Sequence, residues 1–248
     1  MKTVLITGCS SGFGLETARY FLDRDWNVVA TMRTPRQDLL PRSDRLRVIA
    51  LDVTDADSIR QAIEAAGPID VLVNNAGIGL LGALEGSTVA SARVIFETNT
   101  LGTIAMTQAV LPQFRLRKAG VVVNVTSSVT LTPLPLLSVY TASKAAVNAF
   151  TESVALELEQ FNIRANLVLP GRAPETRFGD NARPHMEGAI PQAYADMAQG
   201  VFSAWAEQTA VTRADDVAEA VWRAANDPTA PQRIYAGADA VAQAAGRR

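Results

Sequence analysis

The 248-residue chain carries a net charge of −2, with 48% hydrophobic and 19% charged residues. That balance describes an ordinary globular protein with a sizeable core, and it argues against a strongly basic nucleic-acid surface. Cys9 is the only cysteine, which excludes an intramolecular disulfide, and no apolar run approaches the roughly eighteen residues of a membrane span. The apolar run before the first glycine is too short for a signal peptide, so a reducing, cytoplasmic location is the expectation.

Short β-branched runs predict strands at Thr3–Thr7, Asn27–Thr31, Leu46–Leu51, Asp70–Asn74, Val121–Thr126, Ala165–Leu169 and Arg233–Ala236. Longer stretches with helical spacing lie between them, at Phe13–Asp23, Ser58–Ala66, Val89–Arg117, Val139–Phe161 and Ala214–Asn226. Apolar strands alternating with helices imply an α/β fold, a parallel sheet covered on both faces through right-handed crossovers. No linker, repeat or low-complexity segment divides residues 1–248, which read as one domain. Pro170 to Gly200 has no clean period and reads as a long loop with short helices; residues 171–210 are expected to cover a substrate.

Between the first strand and first helix stands Thr7-Gly8-Cys9-Ser10-Ser11-Gly12-Phe13-Gly14. Gly8 suits a tight bend, Gly12 a close approach of backbone to a pyrophosphate, and Gly14 the packing of helix on strand. The free N–H groups opening that helix would receive phosphates. Three glycines in a turn can also be purely structural, but this turn sits where an open α/β sheet places a dinucleotide. At the end of the second strand, Thr31-Met32-Arg33 offers a guanidinium and no carboxylate. An acidic residue there binds a ribose 2′-hydroxyl and an arginine a 2′-phosphate, so NADP(H) is favoured over NAD(H), with Ser11 as a second phosphate contact. The alternative is a solvated Arg33. After the third strand, Asp52-Val53 either meets an adenine or supplies an acidic N-cap to the next helix.

The fifth strand ends in Thr126-Ser127-Ser128, and thirteen residues past Ser127 stands Tyr140 in V-Y-T-A-S-K-A. Lys144 follows one helical turn later on the same face. Four tyrosines and three lysines in this length would give about 0.05 such pairs by chance. Bringing a phenol from about 10 to about 7 takes roughly 4 kcal/mol. One ammonium at about 4 Å, at an effective dielectric near 20, supplies roughly that much. Ser127 and Ser128 can also simply end a strand, Asn99 can be a solvent-facing residue at a helix bend, and Asn74-Asn75-Ala76-Gly77 an ordinary turn. His185, the only histidine, lacks a partner for a metal.

Taken together, the glycine-rich turn, Asn74-Asn75-Ala76-Gly77, Asn99, Ser127, Tyr140, Lys144 and Pro170-Gly171 resemble the short-chain dehydrogenase/reductase family in order and spacing, from Met1 to about Gly237. In motif style the chain is most similar to NADP(H)-preferring carbonyl and steroid reductases. The resemblance implies a Rossmann-like doubly wound sheet of about seven strands and an NAD(P)(H)-dependent carbonyl/alcohol oxidoreductase with Asn99, Ser127, Tyr140 and Lys144 as its catalytic set. Cofactor contacts would come from Gly8, Ser10, Ser11, Gly12, Phe13, Gly14, Arg33, Asp52, Val53, Asn75, Ala76, Gly77, Tyr140, Lys144, Pro170 and Gly171. The family's nicotinamide-contacting threonine falls one residue late here, at Thr176. The resemblance also implies a homotetramer or homodimer packed through the two long helices.

In physical terms, Tyr140 would give or take the proton, Ser127 would orient the substrate oxygen, and Asn99 would anchor a water beside Lys144. Phe178, Met186, Tyr194, Met197, Phe202, Trp205 and Leu134-Pro135-Leu136-Leu137 offer apolar surface to a small-molecule substrate, a medium-sized hydrophobic carbonyl compound or its alcohol, or pack a helix onto the core. A non-catalytic nicotinamide-nucleotide sensor, or a lyase or epimerase on the same fold, are the competing readings.

Overall fold

The computed structural model describes residues 1–176, 186 and 188–246; Phe178 and His185 lie outside them. Seven parallel strands form one sheet: β1 (Thr3–Ile6), β2 (Asn27–Met32), β3 (Leu46–Ala50), β4 (Val71–Asn74), β5 (Gly120–Val125), β6 (Ile163–Pro170) and β7 (Arg233–Ala236). Their spatial order is β3-β2-β1-β4-β5-β6-β7, and every strand lies where the sequence predicts one, to within a residue or two. The inner strands are apolar throughout because both faces are covered; β1 and β4 are buried at every position.

Alternation along the strands divides the core into two. Val4, Ile6, Val71, Val73, Val121 and Val123 face one layer, formed by α1 (Gly12–Leu22) and later α7 (Ala214–Asn226). Leu5, Leu72 and Val122 face the other, formed by α2 (Ala56–Ala66), α4 (Gly102–Arg117) and α5 (Ser138–Leu158). Phe21 and Phe114, fully buried, anchor the two layers, each worth about 1.5–3 kcal/mol of transfer free energy.

Three elements depart from expectation. The long run Val89–Arg117 is not one regular helix: α3 (Val89–Phe96) passes through a π-helical turn at Glu97–Leu101 before α4. Part of the expected loop is a thirteen-residue helix, α6 (Ala195–Glu207), and a short α8 (Ala238–Ala245) follows β7. Gly200 and the scarcity of inward apolar residues hid α6, whose only buried member is Ala198. Among the described residues no helix is long and apolar enough to cross a membrane.

Candidate active site

The strand order reverses between β1 and β4, and a cleft of about 880 Å³ opens there at the carboxyl ends of the strands. Its floor is the glycine-rich turn. Gly8 (φ 75°) and Gly12 (φ 57°) occupy the left-handed region, and a Cβ on Gly8 would lie 2.9 Å from Ala76 Cα. A Cβ on Gly14 would overlap the Gly8 carbonyl and the Asn75 amide, so this glycine packs helix against turn as expected. Thr7 holds the opposite lip, its hydroxyl accepting from the N–H groups of Asn75 (3.0 Å) and Ala76 (2.9 Å), while Asn75 Nδ2 donates to Thr7 O at 2.9 Å. Helix α1 starts at this turn with no side-chain cap and no acidic residue in its first turn. Its open N–H groups suit an anion.

At one end of the cleft lie Arg33, Asp52, Val53 and also Arg36, which sequence reasoning missed. The N-cap alternative for Asp52 is excluded: Asp55 caps α2, accepting from Asp57 N and Ser58 N. Asp52 instead accepts from Thr54 N (2.9 Å) and Thr54 Oγ1 (2.7 Å), bonds that, with the nearby Arg33 charge, hold its carboxyl below the usual range. Arg36 is paired with Asp38 at 2.7 Å.

At the other end stand Tyr140 and Lys144, one turn apart on α5. Lys144 Nζ donates to the Val125 carbonyl at 3.1 Å. Burial, not the ammonium, dominates Tyr140: its phenol is pushed up to about 12, with a hydrogen bond from Ser127 pulling the other way. Burial likewise pushes Lys144 down to about 8. The expected drop of the phenol toward 7 is therefore not a property of this chain alone, because desolvation penalises both charged forms.

Asn99 is not solvent-facing. It is 1% exposed within the π-turn, accepting from Ile78 N (2.9 Å) and donating to Ile78 O and Ser143 Oγ, both at 3.0 Å. A Cβ on Gly77 would lie 3.2 Å from both Asn99 Oδ1 and Lys144 Nζ, so these polar ends converge on one glycine. Thr176 does reach the cleft and lies against Gly12. Pro170 and Gly171, by contrast, are not on its wall.

A protein-family model described as short chain dehydrogenase matches residues 2–187. The chain belongs to the short-chain dehydrogenase family. It is 39% identical over 184 residues to a 3-ketodihydrosphingosine reductase from Bacteroides thetaiotaomicron, covering 73% of this chain and 66% of the relative. It is 42% identical over 184 residues to retinol dehydrogenase 8 of Bos taurus, covering 68% and 58%. The chain thus matches less than two thirds of the length of either relative. Among solved structures, the closed form of serine dehydrogenase complexed with NADP+ superposes with a TM-score of 0.81 at 27% identity, over 96% of this chain and 95% of that one.

The family's members named above are a reductase and dehydrogenases, and the cleft of this chain fits a dinucleotide such as the NADP+ of serine dehydrogenase. The glycine turn leaves backbone exposed, the uncapped helix start offers donors, and the buried Thr126 hydroxyl on the cleft wall has no partner among the described residues. No cluster of metal ligands occurs among the described residues. Leu136 does not line the cleft: it packs with Ala83 and Ala198, joining the loop before α5 to α6. The apolar residues of α6 divide similarly, Phe202 meeting Trp205 edge-on while Tyr194, just before the helix, bonds Glu85.

Proposed function

We propose that this short-chain dehydrogenase interconverts an apolar carbonyl compound and its alcohol, with NADP(H) as preferred cofactor and Tyr140 as proton donor and acceptor. The observation that carries this reading is one continuous cleft running from Arg33 and Arg36, past the glycine turn, to Tyr140 and Lys144. When bound, the nicotinamide supplies or accepts the hydride that no side chain can. Gly8, Ser10, Ser11, Gly12 and Phe13 would hold its phosphates, Asp52 and Val53 its adenine, and Asn75, Ala76, Gly77 and Thr176 the remainder.

The proton resides on the Tyr140 oxygen, which at neutral pH is a donor ready for a carbonyl oxygen. Ser127, hydrogen-bonded to that phenol, is placed to hold the same substrate oxygen. Lys144, still mostly protonated at neutral pH, stabilises the phenolate left behind. The relatives' names, for a ketosphingoid and a retinol, favour apolar substrates here. Leu116 (88% exposed) on α4 and Leu156 (71%) on α5 support pairing of copies through those helices into a homo-oligomer.

The test is titration with NADPH and NADH, followed by a panel of long-chain ketones and aldehydes monitored by loss of reduced-nicotinamide absorbance. NADPH should bind the more tightly and be consumed with members of the panel. Tight binding without turnover across the panel would favour a nucleotide sensor.

A further inference from the structure

Behind the cleft, where β6 ends, a carboxylate is buried that the mechanism above does not use. Asp239 in α8 is 2% exposed, and so is Thr212, in the connection before α7. Asp239 Oδ2 accepts from Arg172 N at 2.6 Å, and Oδ1 lies 2.7 Å from the Thr212 hydroxyl. That hydroxyl also accepts from Gly171 N at 2.8 Å and lies 2.9 Å from the carbonyl of Ala236. Thr212 N donates to Arg172 O at 2.8 Å, so the Gly171–Arg172 backbone is held on both sides.

Two glycines make room for this arrangement. A Cβ on Gly171 would overlap the Asp239 carboxylate, and one on Gly237 (φ 93°) would overlap the Thr212 side chain. Gly171 is therefore required by what packs against it, which explains why it stands off the cleft wall. Four residues beyond Arg172 the same segment reaches Thr176, which closes over Gly12 and is tied to Ala173 O through both its N–H (3.2 Å) and its hydroxyl (2.9 Å).

We infer that Asp239 and Thr212 are positioning residues of the cofactor cleft, fixing the root of the 171–176 segment so that Thr176 closes on the glycine turn. The inference rests on the reading that this cleft holds a nicotinamide dinucleotide. Neither residue touches the cleft, and their effect passes only through the backbone of Gly171 and Arg172. The Arg33 end of the cleft is built from β2 and β3 and does not depend on them.

That separation supplies the test. Dissociation constants are measured for NADPH, which spans the cleft, and for 2′,5′-ADP, which lacks the nicotinamide, its ribose and the adjoining phosphate. Asp239→Ala leaves the Arg172 N–H without its acceptor, and the Thr212 hydroxyl with only the Ala236 carbonyl, and should weaken NADPH about tenfold while changing 2′,5′-ADP less than about twofold. Thr212→Val should do the same. Asp239→Asn should restore NADPH affinity, because an amide can accept from Arg172 and donate to Thr212. Equal weakening of both ligands, or no weakening of either, would overturn the inference. Failure of the unaltered chain to bind NADPH would overturn the dinucleotide reading itself, and the positioning role with it.

Discussion

Lys144 carries its charge largely withdrawn from water: the residue is 5% exposed, and burial pushes it from 10.5 down to about 8. Below pH 8 folded and unfolded chains both hold the proton, and the fold bears the whole desolvation cost. Between about 8 and 10.5 the folded chain releases the proton while the unfolded chain keeps it, so stability rises with pH across that window. Lys144→Met should thus gain about 1–3 kcal/mol at pH 7, a gain that fades toward pH 10.5. Urea unfolding of both proteins at neutral and alkaline pH checks this, and a pH-independent difference would contradict it. Arg33→Ala should weaken NADPH about tenfold or more while leaving NADH within about twofold, by fluorescence titration; an unchanged ratio would assign the guanidinium to solvent. The place of Arg33 on the cleft wall was legible in the sequence because it directly follows the second strand. Arg36 was not, because it lies in an irregular stretch beyond the strand whose course no pattern dictates.

At the scale of elements, the π-turn at Glu97–Leu101 interrupts a run that reads as a single helix. Its cause is tertiary. Asn99 satisfies both backbone groups of Ile78, Thr100 Oγ1 donates to Ser143 O at 3.0 Å, and Thr103 Oγ1 donates to Asn99 O at 2.9 Å. Side chains that bond their own helix or a neighbour's backbone in this way draw the ladder out of register. Nothing in local periodicity encodes Ile78 or Ser143 as partners, so the bulge could not be read from the chain. Asn99→Leu keeps the branched outline but orphans Ile78 N and O, and should cost about 2–3 kcal/mol. A denaturant midpoint within error of the parent would show that the turn does not depend on Asn99. The glycine-rich turn was the opposite case. Gly8, Gly12 and Gly14 each announce a backbone or packing constraint: a left-handed φ at Gly8 and Gly12, and close packing against the Gly8 carbonyl and the Asn75 amide at Gly14.

For the whole molecule, alternation of apolar strands with helical stretches was enough to anticipate a parallel seven-stranded sheet. The strand order then puts the turn after β1, the Asn75–Gly77 stretch after β4, and Thr126, Tyr140 and Lys144 after β5 around one cleft. What the sequence withheld is what the protein's environment determines: burial lifts Tyr140 to about 12 instead of lowering it, and α6 follows contacts with Ala83 and Leu136. The central claim is that a dinucleotide and a proton-bearing phenol share this cleft. Tyr140→Phe tests it most directly, with NADPH affinity and turnover measured on the same preparation. The account predicts affinity within about threefold of the parent and turnover reduced at least a hundredfold; turnover equal to the parent's would contradict it.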